Sequence, residues 1–359
     1  MKDRKPTIDD VATLAGVARV TVSRVLNGSG TVSAEVRERV ARAVAELDYK
    51  VNVQARALAS GRRQVVSFVF ATDVEIEPNS FYQSGLELGA LRACTEAGFQ
   101  LLTQAINQNS PDPAARILDL VDQGACDGFI LTPPFSDDAA LLSSLVARNT
   151  PIACVSPGSA TSELAPGVRM DDEAAGFDLT RYLLELGHRR FGFILGLERH
   201  VSAQERFAGF KRALAERGLS EADYVTVRGD FTVRSGVDLF PELAKARPRP
   251  TVVICGNDDM AIGAIFSSHR LGISVPGEMS IVGFDNTPIS EVIWPPLTTV
   301  AQPLKLIGYK AANLVFRQME EPSAVRGAEI VPHAIVERES AAAPPRAAPK
   351  TKRASDSQL

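Results

Sequence analysis

The chain has 359 residues, which is enough for two or three folded domains and excludes a small disulfide-stapled protein. Hydrophobic residues make up 45% of the chain and charged residues 23%, so extensive disorder is also excluded. Met1 is followed by charged residues rather than by an apolar segment, and no apolar run is long enough for a membrane span. These features predict a cytoplasmic protein that does not contact a membrane.

The net charge of −4 hides a strong segregation of charge along the chain. Residues 1–63 carry 12 Lys and Arg against 7 Asp and Glu, a net +5, whereas residues 64–339 carry 23 against 35, a net −12. Attraction to phosphates supplies most of the nonspecific affinity of proteins for nucleic acids. A basic N-terminal segment on an acidic body therefore favours a nucleic-acid-binding head.

The first fifty residues show helical periodicity in three short pieces, separated at Gly16 and by a Gly-rich stretch after residue 26. In the second piece one face carries Val22, Val25 and Leu26, and the opposite face carries Val20, Arg24 and Asn27. This pattern predicts a helix-turn-helix. It also fits a solvated pair of amphipathic helices, because the same geometry occurs without DNA.

DNA binding is the favoured interpretation of the outer face, because a major groove admits one helix. The Arg24 guanidinium matches the two acceptors on a guanine edge, and Arg19 can join it. Short hydrogen-bonding side chains on the same helix suit phosphates. The DNA-binding residues predicted in the head are Thr7, Arg19, Val20, Thr21, Ser23, Arg24 and Asn27.

After residue 63, apolar runs of strand length alternate with helical stretches, which predicts parallel βαβ units in two doubly wound halves. The expected strands are 65–70, 100–103, 128–131, 152–155, 191–195, 224–227, 251–255 and 280–284. We interpret residues 157–162 as a flexible stretch between the halves and residues 295–300 as an extended segment that crosses between them. The predicted fold is an all-α head plus an α/β core of two doubly wound lobes.

Residues 8–28, IDDVATLAGVARVTVSRVLNG, resemble the N-terminal signature of the lactose-repressor (LacI/GalR) family of bacterial transcription regulators. Further resemblances follow in the family's order: ELDYKVNVQARAL (46–58), LGHRR (186–190), GNDDMA (256–261), VP (275–276), VGFD (282–285) and PLTTV (296–300). The similarity covers nearly all of residues 5–340. It implies a DNA-binding repressor with a core of the periplasmic-binding-protein fold.

The resemblance also implies a hinge helix in the DNA minor groove, where paired leucines of a dimer pry open a base step. Leu58 matches that leucine; without the resemblance it would be interpreted as an ordinary helix-packing residue. The DNA contacts implied for the hinge are Asn52, Ala55, Arg56 and Leu58.

Two residues depart from the family pattern. Ala18 stands where the family usually has a capping Ser, a cap worth about 1 kcal/mol. Val51 replaces the usual Pro before Asn52 and weakens the entry into the hinge helix. Both departures predict a head that is less ordered without DNA.

The domain boundaries follow from these patterns. We expect a helix-turn-helix head at residues 1–50, a hinge helix and linker at 51–63, an effector-binding and dimerisation core at 64–340 and a disordered tail at 341–359. Within the core, lobe 1 is expected at about residues 64–160 plus 302–325, and lobe 2 at about 161–301 plus 326–340. The tail lacks the large apolar residues that would offset the entropy of ordering.

The resemblance implies that the two lobes close on a small ligand at the carboxyl ends of their strands. The effector-binding residues matched to family stretches are Phe81, Tyr82, Asp171, Arg206, Phe231, Asn257, Asp258 and Asp285. Their polar groups suit the hydroxyls of a sugar, and aromatic faces cover its C–H surface. Phe81 and Phe231 fit core packing equally well, and Asn257 and Asp258 could cap a helix.

Two features bear on the ligand. The loop 71–80 is acidic and longer than is usual in the family, which favours a larger, neutral carbohydrate over a phosphorylated ligand. A purine corepressor remains the alternative. Trp294 fits either a ligand contact or an interface.

No enzyme motif is present, the four histidines are scattered, and neither a metal nor a cofactor is expected. A sugar-binding protein without DNA function is the rival interpretation, and the basic head argues against it. One short recognition helix reads few base pairs, so we expect a homodimer on a palindromic operator in double-stranded DNA. The sequence leaves open the operator, the effector, and whether the effector releases or enforces DNA binding.

Overall fold

The structure is a computed structural model that describes residues 6–26, 32–49, 63–72, 80–321 and 327–345. The chain forms two compact units, Met1–Arg63 and Gln64–Leu359. None of the described helices combines the length and the apolar composition that a membrane-spanning helix requires.

The first unit contains three short helices: Ile8–Ala15 (α1), Arg19–Leu26 (α2) and Ala34–Glu46 (α3). Thr7 and Asp10 form a capping box at the start of α1, with the Thr7 hydroxyl donating to the Asp10 carboxylate at 2.7 Å. Helix α1 ends at Gly16, whose φ of 63° lies in the left-handed region. Buried apolar residues from all three helices form a small core: Val11, Ala12, Ala15, Val22, Val40 and Ala43.

The second unit contains two six-stranded sheets, and we name the halves built on them lobe 1 and lobe 2. The lobe 1 sheet has the order β11-β5-β4-β3-β1-β2, and all its strand pairs are parallel. Its strands are Val65–Thr72 (β1), Gln100–Asn107 (β2), Gly128–Leu131 (β3), Ile152–Val155 (β4), Gly167–Met170 (β5) and Ala328–Val331 (β11). Its helices are Ser80–Ala97 (α4), Pro113–Asp122 (α5), Ala139–Ala147 (α6), Ser159–Ser162 (α7) and Leu304–Glu320 (α13), with a 3₁₀ turn at Phe135–Asp137.

The lobe 2 sheet has the order β12-β10-β9-β8-β6-β7, with only the β10–β12 pair antiparallel among the described strands. Its strands are Phe191–Leu195 (β6), Tyr224–Arg228 (β7), Val252–Cys255 (β8), Ser280–Asp285 (β9), Thr298–Ala301 (β10) and Ala334–Val336 (β12). Its helices are Asp172–Glu185 (α8), Val201–Glu216 (α9), Val233–Lys245 (α10), Asp258–Arg270 (α11) and Ile289–Val292 (α12), with a 3₁₀ turn at Glu221–Asp223. The two-lobed α/β fold predicted from the sequence is confirmed.

The lobe boundaries differ from the expectation in the late segments of the chain. Strands β5 and β11 pair with each other and belong to the lobe 1 sheet, although residues 161–301 and 326–340 were expected in lobe 2. The chain therefore crosses between the lobes three times, after β5, after β10 and after β11. Strand β5 has the sequence GVRM, which gives no apolar run, so its sheet is decided by pairing with β4 rather than by local pattern.

The predicted flexible stretch and the predicted crossing segment also differ from the expectation. The stretch 157–162 contains the short helix α7, whose Thr161 is buried. The stretch 295–300 does not cross between the lobes, because Thr298–Ala301 is a strand paired with β9 and β12. The crossing comes directly afterwards, at Gln302 and Pro303.

The predicted tail begins too early. Ser340 is fully buried. The Ala342 amide donates to the Ser280 hydroxyl at 3.1 Å, and the Ala342 carbonyl oxygen lies 2.9 Å from Nε2 of His188. Residues 341–345 thus pack on lobe 2, and residues 346–359 lie outside the described residues. Hydrogen bonding to buried side chains orders this segment, although it has few large apolar residues of its own.

His188 links this C-terminal segment to lobe 2 as a neutral imidazole. The Ala342 carbonyl can only accept, so Nε2 carries the proton, and Nδ1 accepts from the Thr251 hydroxyl at 2.8 Å. Burial lowers the pKa of His188 from 6.5 to about 4. Between pH 4 and pH 6.5 the unfolded chain binds more protons at His188 than the folded chain does. The neutral, buried His188 therefore contributes its full stabilisation above pH 6.5, and this stabilisation is lost as the pH falls towards 4.

We expect this effect to be visible in urea unfolding at a series of pH values. The free energy of unfolding should fall by up to about 3 kcal/mol from His188 between pH 7 and pH 4. In His188→Gln the decline should be shallower, because the glutamine does not titrate. Parallel curves for the two proteins would contradict this assignment.

Candidate effector cavity and DNA-binding head

A cavity of about 330 Å³ lies between the two lobes, within the size range of small-ligand sites. Several lining residues stand at or just after the carboxyl ends of parallel strands, as expected for a doubly wound sheet. In lobe 1 these are Thr72 at the end of β1, Gln108 after β2 and Thr132 after β3; in lobe 2 they are Asp230 after β7, Asn257 after β8 and Asp285 at the end of β9.

Five of the eight predicted effector-binding residues line this cavity: Tyr82, Arg206, Phe231, Asn257 and Asp285. The other three lie outside the lining. Phe81 is 39% exposed, and Asp171 caps α8 by accepting from the Ala174 amide at 2.9 Å. Asp258 is fully buried, and its carboxylate accepts hydrogen bonds from Thr287 and Thr299. Asp258 therefore holds lobe 2 together rather than facing the cavity.

Arg206 enters the cavity from α9 with its charge already balanced. Its Nε donates to the Asp172 carboxylate at 2.8 Å, and its Nη1 donates to the Gly256 carbonyl at 2.7 Å. The guanidinium also lies 4.7 Å from the centre of the Phe284 ring. Arg206 is 5% exposed, so these contacts offset the cost of burying its charge. Because Arg206 is held on three sides, it presents a fixed donor face to a ligand.

Asp285 has the properties of a ligand-binding carboxyl group. It is 3% exposed, lines the cavity, and accepts no side-chain hydrogen bond from the described residues. Its φ of 110° is strained for a residue other than glycine, a feature that concentrates at functional sites. Burial raises the pKa of Asp285 well above its ordinary value, and the nearby Arg206 partly offsets this rise.

Asn257 caps a helix, which is one of the two interpretations left open for it, and it also lines the cavity. Its side-chain oxygen caps α11 by accepting from Met260 N at 3.0 Å, and its Nδ2 donates to the Phe231 carbonyl at 2.9 Å. This second bond anchors Phe231, which has a φ of 70°, with its ring centre 5.3 Å from that of His200. Asn257 thus positions an aromatic wall of the cavity while it caps a helix.

Sequence reasoning missed several lining residues, including Thr72, Gln108, Thr132, Arg199, His200, Ser202 and Asp230. The position one to three residues after a predicted parallel strand is the signal that would have found three of these, Thr72, Thr132 and Asp230. Gln108 lies five residues beyond the predicted end of its strand, because β2 extends to Asn107. His200 and Ser202 instead flank the start of α9. Burial and the neighbouring Arg199 and Arg206 lower the pKa of His200 to about 4, so it is neutral at physiological pH.

Trp294 is 72% exposed and lies outside the lining.

In the head, helix α2 presents Arg19, Val20 and Arg24 on its exposed side, opposite the buried Val22. Val20 is 56% exposed, so its side chain is accessible to a partner of the head. Arg19 lies 3.8 Å from Asp9, and both side chains are mostly exposed.

The remaining predicted DNA contacts are less exposed or fall outside the described residues. Thr21 and Ser23 are half-buried, and Thr7 serves as the cap of α1. The Ala18 carbonyl accepts from the Thr21 and Val22 amides, and the alanine side chain has no oxygen with which to cap α2. The contacts predicted at Asn27, Asn52, Ala55, Arg56 and Leu58, together with Val51, the tail after residue 345 and residues 73–79 of the acidic loop, lie outside the described residues.

A helix-turn-helix head on a two-lobed core with a ligand-sized cavity is the organisation of a ligand-responsive DNA-binding regulator. Residues 7–52 match the family model for bacterial regulatory proteins of the lacI family, and residues 180–341 match a periplasmic binding protein-like domain. The chain is 32% identical to catabolite control protein A of Priestia megaterium over 335 residues, which are 93% of this chain and 98% of that protein. The chain belongs to the lacI family and is a DNA-binding transcriptional regulator.

Two solved structures are similar to the whole chain. The lac repressor dimer bound to operator and the anti-inducer ONPF has a TM-score of 0.78 and 26% identity, covering 95% of this chain and all of that one. The complex of the transcriptional regulator CelR with cellobiose has a TM-score of 0.70 and 31% identity, covering 94% of this chain and all of that one.

Proposed function

We propose that this regulator is a homodimeric repressor of carbohydrate-utilisation genes whose operator affinity is set by a small neutral sugar bound between the lobes. The observation that carries the proposal is the buried, strained carboxyl group of Asp285, which accepts no side-chain hydrogen bond from the described residues, in a cavity that also presents Arg206, Asn257 and the Phe231 ring. Hydroxyl groups pair with such donors and acceptors, and an aromatic face covers the C–H side of a sugar ring. The CelR–cellobiose complex is consistent with this ligand class.

The charges of the cavity favour a neutral ligand over a phosphorylated one. Arg206 is paired with Asp172, and Asp230 accepts from the Thr232 amide and hydroxyl at 2.9 and 2.6 Å. Arg199 is the remaining lining cation, and Asp285 is the remaining lining acid. A phosphate would therefore meet little uncompensated positive charge in the described part of the cavity.

Calorimetry with a panel of cellobiose, lactose, ribose and glucose, beside hypoxanthine and guanine, tests the ligand class. We expect heat from at least one sugar, and the same sugar should change the operator affinity. Tight purine binding with no heat from any sugar would replace the proposal with the purine corepressor alternative.

The proposed dimer binds a palindromic operator, because two symmetric heads double the number of base pairs that one short helix can read. The lac repressor dimer on its operator supports this arrangement by analogy. Analytical ultracentrifugation of the free protein, followed by titration of half-site and full-site duplexes, tests both parts. A monomer that binds half-sites as tightly as full sites would contradict them.

The contribution of Arg24 to base reading can be measured directly. We expect Arg24→Ala to lose about 1–3 kcal/mol of discrimination between a selected operator and a scrambled duplex, because one bidentate contact to a guanine edge is removed. Arg37→Ala is the matched control, since Arg37 is an exposed arginine of the same head on α3. Fluorescence anisotropy at fixed salt gives both affinities for each variant. Discrimination that is equal in the two variants would contradict the role of Arg24.

A further inference from the structure

The first turn of α9 has two functional faces. Ser202 and Arg206, four residues apart, line the cavity from lobe 2. Val201 and Glu205, also four residues apart, face lobe 1 and contact its polar groups. Residues four apart share one side of a helix. The first turn of α9 therefore faces the ligand site with one side and lobe 1 with the adjacent side.

The contact at Glu205 is a salt bridge between the lobes. Arg169, on strand β5 of lobe 1, donates Nη2 to the Glu205 carboxylate at 2.5 Å. The same guanidinium donates Nε to the Met170 carbonyl and Nη1 to the Pro157 carbonyl, each at 3.1 Å. The two side chains are only 11% and 19% exposed, so salt screens this pair weakly. Arg169 is thus fixed in lobe 1 and reaches across to α9.

The contact at Val201 supplies a cap to α9 from the opposite lobe. His200 precedes α9, and its side chain makes no capping hydrogen bond. Asp137 of lobe 1 accepts from the Gly158 amide at 2.8 Å, and its second oxygen lies 3.5 Å from the Val201 amide. A carboxylate at this place is stabilised by the free amides and the dipole of the helix N-terminus. Gly158 also packs against Val201 so closely that a Cβ there would lie 2.7 Å from the valine side chain.

We propose that Arg169 and Asp137 are positioning residues that couple the effector cavity to the relative position of the two lobes through the first turn of α9. The inference rests on the proposed function, because it assigns a transmission route to that cavity. A ligand that bonds Ser202 and Arg206 of lobe 2 together with residues of lobe 1 favours one position of α9 relative to lobe 1, and the contacts of Val201 and Glu205 with lobe 1 depend on that position. Coupling between two sites requires contacts that differ between two arrangements, and these two contacts supply that difference.

The test compares two glutamate variants on neighbouring helices. Glu205→Gln keeps the shape of the side chain and removes the charge that Arg169 pairs with. Glu173→Gln is the matched control, because Glu173 pairs with Arg212 of the same α9 but both residues belong to lobe 2. Asp137→Asn provides a second variant at the other contact.

The first readout is the ratio of operator affinities with and without the tightest-binding sugar of the panel. We expect this ratio to fall at least threefold in Glu205→Gln and Asp137→Asn and to stay unchanged in Glu173→Gln. Calorimetry should show the sugar binding to all four proteins within about threefold of the same affinity. A ratio in both interlobe variants equal to that of the control, with sugar binding retained, would overturn the proposal.

The second readout needs no ligand, so it separates this proposal from the proposed function. Hydrogen exchange of the ligand-free full-length protein reports how firmly the first turn of α9 is held. We expect at least threefold faster exchange of the amides of residues 201–205 in Glu205→Gln and Asp137→Asn than in wild type and Glu173→Gln. Unchanged exchange would overturn the proposal even if a sugar binds, whereas faster exchange without any sugar binding would reject only the ligand class.

Discussion

Replacing Arg206 with Met is expected to lower the free energy of unfolding by about 3–5 kcal/mol, because Asp172 would be left as a buried carboxylate without its cation. Asp172 is 1% exposed, and burial already raises its pKa against the effect of the paired Arg206. The variant also loses the hydrogen bond to the Gly256 carbonyl. Urea unfolding of the purified variant against wild type measures the difference.

Arg212→Met is the control for this stability effect. Like Arg206, Arg212 pairs with an acidic residue of α8, in this case Glu173, but the two side chains are 50% and 42% exposed. We expect a loss below about 1 kcal/mol, as for other surface ion pairs. Adding Asp172→Asn to Arg206→Met should recover part of the loss, because the stranded charge disappears. Equal effects of the Arg206 and Arg212 changes would show that burial does not set the cost.

Because replacing Arg206 also destabilises the fold, a variant at this position does not measure the contribution of Arg206 to ligand binding alone. Asp285→Asn is the sharper probe of the cavity, since Asp285 accepts no side-chain hydrogen bond from the described residues and the substitution keeps the shape. We expect the sugar affinity to fall about 10- to 100-fold, because the carboxamide places an NH2 group where a ligand hydroxyl needs an acceptor, and a buried hydroxyl left unpaired costs about 1–3 kcal/mol. The operator affinity of the ligand-free protein should change little. Calorimetry and operator titration give the two values.

Asp259→Asn is the matched control for the cavity. Asp259 is also a buried acid of lobe 2, and burial raises its pKa to about 6, but it does not line the cavity. We expect its sugar affinity to match that of wild type. If both asparagine variants bound the sugar equally, Asp285 would not be a ligand contact.

The sequence by itself determined those elements whose pattern is local. Strands β3, β4 and β6 lie at the residues predicted for them, because each is a continuous apolar run buried on both faces. Helix α2 likewise has the predicted buried and exposed sides, because its apolar residues recur at helical spacing. The family signature and the segregation of charge identified the DNA-binding class without any structure.

Only the tertiary structure decided which of two neighbouring acidic residues pairs with the cavity residue Arg206. Asp171 and Asp172 are adjacent, and the sequence favoured Asp171 as the effector contact. In the fold Asp171 caps α8, while Asp172 points one residue further round the helix and pairs with Arg206, which comes from a different helix. A step of one residue turns a side chain by about 100°, so no local pattern selects between the two.

The same reason explains the lobe boundary, the ordered C-terminal segment and the salt bridge between the lobes. Strand β5 joins lobe 1 through pairing with β4 and β11, and residues 341–345 are ordered by hydrogen bonds to His188 and Ser280. Arg169 and Glu205 are 36 residues apart in sequence and meet only where the two lobes approach each other. Periodicity reports burial and local hydrogen bonding, whereas the convergence of polar groups from distant segments is set by how sheets and helices pack in three dimensions.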